Sequence, residues 1–274
     1  MRISLNTSKW YDNIWASFIF FTRLPFWRLH EPPKECYRTV VEHWPLTGWL
    51  TGSVMAAIIY FGGLIMPHAI AVLIAIAARL LITGALHEDG LTDFFDGFGG
   101  GGNNRQRILD IMKDSRTGTY GVVGIVMYLL LLLFALTAMP AKLAALTVLA
   151  ADPFSKMLAG QIIMMMPYAR TEEESKAHVI YRKMNIKAGI SLFFQGMLPL
   201  LPLILICRNS LRWDLIIFIP GLVMYFLYLF IWRRLRGYTG DCCGAMFLLI
   251  ELSFYLTMSS QFFYNKTILW TLFS

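Results

Sequence analysis

The stretch "AIAVLIAIAARLLITGALHEDGLTDFFDGFGGGG", residues 69–102, joins an apolar run containing one arginine, Arg79, to a segment with four acids and a glycine tract. Its first half is close to the roughly 20 residues a membrane-spanning helix needs. Similar runs recur outward in both directions. Seven segments read as crossings: residues 44–66, 69–86, 119–139, 141–167, 188–207, 213–232 and 244–263. Hydrophobic residues make up 57% of the 274, charged residues only 15%, and mean hydropathy is +0.57. A soluble domain carries about a quarter charged residues. The expected fold is therefore all-α: a polytopic membrane helical bundle of about seven transmembrane helices, one integral membrane domain over residues 1–274. The fourth segment is the least regular, because Asp152-Pro153 interrupts it, and reads as a kinked span or two half-helices.

Basic residues set the expected orientation. With loops numbered alternately, one side holds Arg2, Lys9, Arg23, Arg28, Lys34, Arg38, Arg105, Arg107, Lys113, Arg116, Arg170, Lys176, Arg182, Lys183, Lys187, Arg233, Arg234 and Arg236. The other side holds Lys142, Arg208, Arg212 and Lys266. This asymmetry places the N-terminus and the long loops in the cytoplasm and the C-terminus outside. Residues 14–21 are too few to span, lack a small-residue cleavage site after them, and read as an interfacial helix rather than a signal peptide.

Composition also excludes some classes. The net charge of +7 follows from basic loops, and no basic run interleaved with aromatics points to nucleic acid. Cys36, Cys207, Cys242 and Cys243 have no metal spacing and form no disulfide framework. The five histidines are scattered, so a zinc site is not expected.

The acidic stretch carries the chemistry. Asp89, Asp93 and Asp96 fall within about 60° on a helix, while Leu91, Phe94, Phe95 and Phe98 fall opposite. Like charges one turn apart repel, which favours a cation; Mg²⁺ takes carboxylate oxygens and leaves positions open for phosphate. Gly90 and Gly97 beside the stripe would let a ligand or another backbone approach. Asn103 or Asn104 suits the cap of a following helix over about 105–116, where Lys113 and Arg116 are cations suited to phosphate and Asp114 adds a carboxylate. The bland reading is a solvated acidic loop. The one-face spacing and nearby cations favour a catalytic cytoplasmic loop over residues 87–118.

A second cytoplasmic turn, "RGYTGDCCGA" at 236–245, places Asp241 between Gly240 and Gly244, as a helix cap, a site residue, or both. Asp152 and Lys156, one turn apart, read as an ion pair within the membrane. Arg79 and Glu251 either line a cavity or pair with partners the sequence does not identify. Glu172, Glu173 and Glu174 read as a solvated loop face. From these parts the chemistry is Mg²⁺-assisted transfer involving a diphosphate at the cytoplasmic face of a membrane.

"HEDGLTDFFDGFGGG" followed by "RILDIMKDSRTGTYGVVG" resembles the signature of the cobalamin synthase family, the adenosylcobinamide-GDP ribazoletransferases. "FFTRLPFW", "HWPLTGWLTG", "MPYAR" and "GYTGDCCGA" fit the same family in the same order, so the resemblance covers nearly the whole chain. It implies a multi-pass enzyme of the bacterial inner membrane, late in cobalamin biosynthesis, with its active site facing the cytoplasm. Adenosylcobinamide-GDP and α-ribazole, or its 5′-phosphate, would be joined with release of GMP in a reaction requiring Mg²⁺. Carried over by position, Asp89, Asp93 and Asp96 would hold Mg²⁺. His87 would orient an acid or a phosphate oxygen. Lys113, Asp114 and Arg116 would complete the pocket. Asp241 would bind metal or take the acceptor's proton, with Asp114 an equal candidate for the latter. Arg23 and Arg170 are candidates for binding phosphate or nucleotide. Lys156 stands in "DPFSKM" where the family is expected to favour arginine. The expected partners are these two substrates, the bilayer, and either a second copy of the chain or other cobalamin-assembly enzymes. Two alternatives have discriminating features. A CDP-alcohol phosphotransferase needs Ala-Arg two residues after Asp-Gly, but Asp89-Gly90 is followed by Leu-Thr-Asp. A transporter would line a path with Asp152, Lys156 and Glu251 and show internal repeats.

Overall fold

The computed structural model describes residues 9–171, 180–208 and 210–265. Arg2, Lys176, Lys266 and the acids Glu172, Glu173 and Glu174 lie outside the described residues. The described chain is helical: α1 Asp12–Phe21, α2 Trp44–Gly62, α3 His68–Thr83, α4 Leu86–Gly100, α5 Arg105–Lys113, α6 Thr119–Thr137, α7 Ala141–Gly160, α8 Ile162–Met165, α9 Ile186–Met197, α10 Leu200–Cys207, α11 Trp213–Leu235 and α12 Gly240–Tyr264. Two 3₁₀ segments, Phe26–Arg28 and Lys34–His43, join α1 to α2.

Five helical stretches are long and apolar enough to cross a bilayer, and two bent pairs, α3 with α4 and α9 with α10, raise the number to seven. The chain is thus an all-α, multi-pass membrane protein. Helices α7 and α12 form its interior, whereas α6 and α11 leave most of their apolar surface outward. The close approach of α2 to α7 depends on glycine: a Cβ at Gly48 would lie 2.9 Å from the Pro153 backbone nitrogen. Helix α7 runs unbroken through Pro153, so the fourth span is neither two half-helices nor interrupted. A proline costs an intrahelical hydrogen bond, but a neighbouring backbone packed this closely sustains the helix.

The second expected span is shorter than the sequence suggested. Helix α3 ends at Thr83, and Gly84 (φ +63°) and Ala85 (φ +54°) both take the left-handed conformation. The chain turns 90° there into α4. The Arg23 backbone N–H donates to Ile82 O at 2.7 Å and pins the corner. Left-handed backbone costs an L-residue such as alanine about 1–2 kcal/mol. Gly84 is a usual helix-ending glycine, but nothing in the sequence signals that Ala85 follows it into the same conformation. The glycine tract is also more ordered than a loop, since α4 continues to Gly100.

Helix α4 buries Leu91, Phe94 and Phe98, the side opposite the acidic stripe, as its period predicts. It packs on α12, α6 and α5. Asn104 caps α5, its side-chain oxygen accepting from Arg107 N–H at 3.1 Å. Helix α5 stops at Lys113, earlier than expected, because Asp114 is extended.

Candidate functional site

The contact of α4 with α12 places the site. A Cβ at Gly90 would sit 3.1 Å from Asp241 Cα, and one at Gly244 would sit 3.3 Å from the His87 backbone. Two glycines, one on each helix, thus let the helices touch at backbone distance. That contact sets His87, Asp89 and Gly90 beside Asp241. In this protein the space left by Gly90 and Gly97 is filled by protein: Gly97 receives Met112 of α5.

The third contributor is the segment before residue 171. Ala169 N–H donates to Tyr238 O at 2.8 Å, and Tyr238 N–H donates to Pro167 O at 2.9 Å. This short ladder ties "PYAR" to "GYTGD". Gly237 allows it, since a Cβ there would meet Pro167 O at 2.7 Å. Arg105 reinforces it by donating to Leu235 O (2.9 Å) and Ala169 O (2.6 Å). Arg170 is thereby carried to Asp241, 3.9 Å away, while its guanidinium also donates to Leu109 O at 2.8 Å. Thr239, not Asp241, caps α12, accepting from Cys242 N–H at 3.2 Å. Asp241 sits in the first turn, where a helix favours negative charge, and its carboxylate accepts from the Thr239 hydroxyl at 3.4 Å.

These groups line a cavity of about 120 Å³. His87, Asp89, Gly90, Arg170 and Asp241 contribute the polar and close-packed part; Phe20, Phe21, Val41, Trp44, Leu86, Tyr168, Tyr181 and Cys243 contribute the rest. Burial pushes the Tyr181 phenol well above its ordinary range, so it stays neutral. His87 is 3% exposed and stacks on Trp44 and Phe21. The aromatic wall was not singled out from sequence. Its members come from four separated segments and share no period; the only trace was the quoted "FFTRLPFW", "HWPLTG" and "PYAR".

The other residues singled out from sequence lie elsewhere. Asp96 is buried, accepting from Gly118 N–H at 2.6 Å and Gly121 N–H at 2.8 Å. It closes the start of α6. Asp93 is half-buried and already has a partner. Among the described residues, no three His, Cys, Asp or Glu side chains converge as a metal-binding group. The structure therefore does not bring Asp89, Asp93 and Asp96 together as one ligand set. Lys113 is exposed at the end of α5. Asp114 and Arg116 bind each other at 2.7 Å. Hydrogen bonds and charge from Arg116 hold the Asp114 carboxyl down at about 2. It stays ionised at working pH, a poor proton acceptor. Arg23 is exposed and lies against Gly84 at the corner between α3 and α4. None of these residues lines the cavity.

The charges of the spans are paired and sealed. Arg79 meets Glu251 at 2.6 Å, with Tyr128 and Tyr255 hydroxyls at 2.7 and 2.8 Å completing the set. Lys156 meets Asp152 at 2.6 Å, and Thr51 donates to the same carboxylate. The buried Asp152, Lys156 and Glu251 therefore have partners within the bundle rather than an open path to line.

Two carboxylates, Asp89 and Asp241, and one guanidinium lining the same cavity suit a phosphorylated substrate and a divalent cation. Mg²⁺ is commonly held by one or two carboxylates plus substrate phosphates, so this donor set fits it without a three-acid cage. Fold and site together define a polytopic helical membrane protein with the equipment of a phosphoryl-group transferase.

Comparison with known proteins narrows this. The cobalamin-5-phosphate synthase family model matches residues 13–259, and the chain belongs to that family. It is 35% identical to the adenosylcobinamide-GDP ribazoletransferase of Vibrio parahaemolyticus, over 87% of this chain and 88% of that protein. Proteins of the same name from Leptospira interrogans and Shewanella frigidimarina are 31% and 33% identical, over 88% and 91% of this chain and 92% and 96% of theirs. No solved structure matches the chain.

Proposed function

We propose that this chain joins adenosylcobinamide-GDP to α-ribazole or its 5′-phosphate at the α4–α12 cavity, releasing GMP, on the cytoplasmic side of the bacterial inner membrane. The observation that carries this is the meeting of Asp89, Arg170 and Asp241 from three segments far apart in the chain, in a family whose named members carry out this transfer. The acceptor's ribose hydroxyl oxygen attacks the phosphorus attached to the cobinamide arm and gives up its proton to water. A phosphorus–oxygen bond forms there, and the bond from that phosphorus to the oxygen leaving with GMP breaks. Such transfers depend on positioning and charge stabilisation more than on covalent help from protein.

Arg170 binds the diphosphate, its position fixed by Leu109 O and the Tyr168–Tyr238 ladder. Asp89 and Asp241 would hold Mg²⁺, which when bound neutralises phosphate oxygens and the charge growing on GMP. The aromatic wall excludes water from the reacting phosphorus. The basic asymmetry of the loops supports the cytoplasmic placement.

The test is GMP release by the full-length protein in liposomes, with both substrates and with or without Mg²⁺. Release should require Mg²⁺, and Asp89→Asn and Asp241→Asn should each lower it by about 10²–10³-fold with the protein still folded. Full activity in both variants, or none in the parent, overturns the reading.

A further inference from the structure

Excluding water needs no particular side chain, yet part of the cavity lining is a wall of flat rings. Phe21 stacks on Trp44 with centroids 5.1 Å apart at 15°, and Trp44 stacks on His87 at 5.7 Å and 25°. Two polar atoms in this wall are buried without a hydrogen-bond partner: Trp44 Nε1, which can only donate, and His87 Nε2. Buried polar atoms are rarely left unpaired, and such exceptions call for an explanation. Both residues line the cavity. At about 120 Å³ the space is well below the roughly 300–1,000 Å³ of pockets that enclose a drug-sized ligand. Its interior holds no more than one ring system, so a diphosphate would reach Asp89 from the exposed edge and a nucleotide base or corrin attached to it would lie outside.

We propose that this aromatic wall seats the base of the acceptor, a flat methylated bicyclic heteroaromatic on its ribose, and that the guanine of the departing nucleotide lies outside the cavity. The inference rests on the reaction assigned to the site above. The two candidate bases differ in what they need. Guanine presents donors as well as acceptors along its edges, and those donors require acceptors. The carboxylates of this cavity are assigned to the diphosphate, and of Phe21, Trp44 and His87 only a neutral His87 carries an acceptor, one ring nitrogen against guanine's N1–H and N2–H₂. The acceptor's benzimidazole has apolar edges and a single free ring nitrogen, which can only accept. That matches stacking faces with a buried N–H beside them. A base seated there also directs its ribose toward Asp89, Arg170 and Asp241, where the hydroxyl must attack.

The experiment measures KM separately for α-ribazole and for adenosylcobinamide-GDP in Trp44→Leu and Phe21→Leu, using the full-length protein in liposomes. Loss of one stacking partner should raise the α-ribazole KM by about 5- to 150-fold and leave the other KM within about twofold. A rise for adenosylcobinamide-GDP alone, or an equal rise for both, overturns the assignment. Trp44→Phe, which keeps a ring but not the N–H, should recover part of the loss; a purely packing role for Trp44 would not separate the two substrates. Binding is read independently of turnover by adding α-ribazole alone and comparing tryptophan emission in the parent and in Trp44→Phe. Quenching present only in the parent supports the seat even if transfer is absent, in which case the proposed reaction fails and the seat survives. An active enzyme whose emission α-ribazole does not change overturns the seat alone.

Discussion

Asp96 shows how one carboxylate on a stripe can differ from its neighbours. Both of its oxygens accept backbone N–H groups, from the residue that precedes α6 and from Gly121 within its first turn. The first amides of a helix lack partners within it, and a carboxylate there answers both the missing bonds and the helix dipole. Gly118 and Gly121 make room, since a Cβ at either would collide with this side chain. Asp96→Asn turns one of the two acceptors into a donor facing a donor. It should lower stability by about 1–3 kcal/mol, read by thermal unfolding in detergent, and leave the Mg²⁺ concentration for half-maximal activity unchanged. A shifted Mg²⁺ requirement with an unchanged melting temperature would assign Asp96 to the metal instead. Sequence could not separate the two roles: helical spacing places the carboxylate, but its partner amides lie 22 and 25 residues on, and backbone amides leave no mark in sequence.

At the scale of elements, α4 was legible and its mounting was not. Its acidic stripe and buried aromatic side follow from a period of 3.6, whereas its continuation through the glycine tract to Gly100 does not. The corner before it does not, because Ala85 adopts a left-handed conformation that alanine seldom takes. The partner of its acidic side was likewise hidden. In sequence Gly90 admits either a ligand or another backbone; the structure puts the Asp241 backbone of α12 there, with Gly244 as its counterpart against His87. Gly90→Val tests this. A branched side chain at that contact should push the helices apart, costing about 1–3 kcal/mol by overpacking. An ångström of displacement between groups acting on one substrate can cost about 10²-fold in rate. GMP release should therefore fall far more than the melting temperature suggests, whereas Gly221→Ala, at a helical glycine of α11 with nothing close by, should leave release near the parent's. Equal activity of Gly90→Val and the parent would mean that the α4–α12 spacing does not set the site.

Across the whole molecule, the apolar runs made the helices readable, while the charges that join them were only half readable. Asp152 and Lys156 share one helix and their spacing announces the pair. Arg79 and Glu251 lie 172 residues apart, so neither identifies the other. Their pairing fastens α3 to α12 and, through Tyr128 and Glu88, engages α6 and α4. It therefore sits directly behind the helix that carries His87 and Asp89. A buried pair is weak evidence of net stabilisation, because removing two ions from water offsets most of their attraction; breaking it is another matter. Glu251→Leu leaves a guanidinium buried with one carboxylate at 3.5 Å as its remaining charge partner, and should cost about 3–5 kcal/mol. Arg79→Leu combined with Glu251→Leu and Glu88→Gln removes all three charges and should recover most of that loss in the melting temperature. If the single variant melts with the parent, the pair does not hold α3 against α12. If the triple variant is as unstable as the single, the cost lies in lost packing rather than in an orphaned charge.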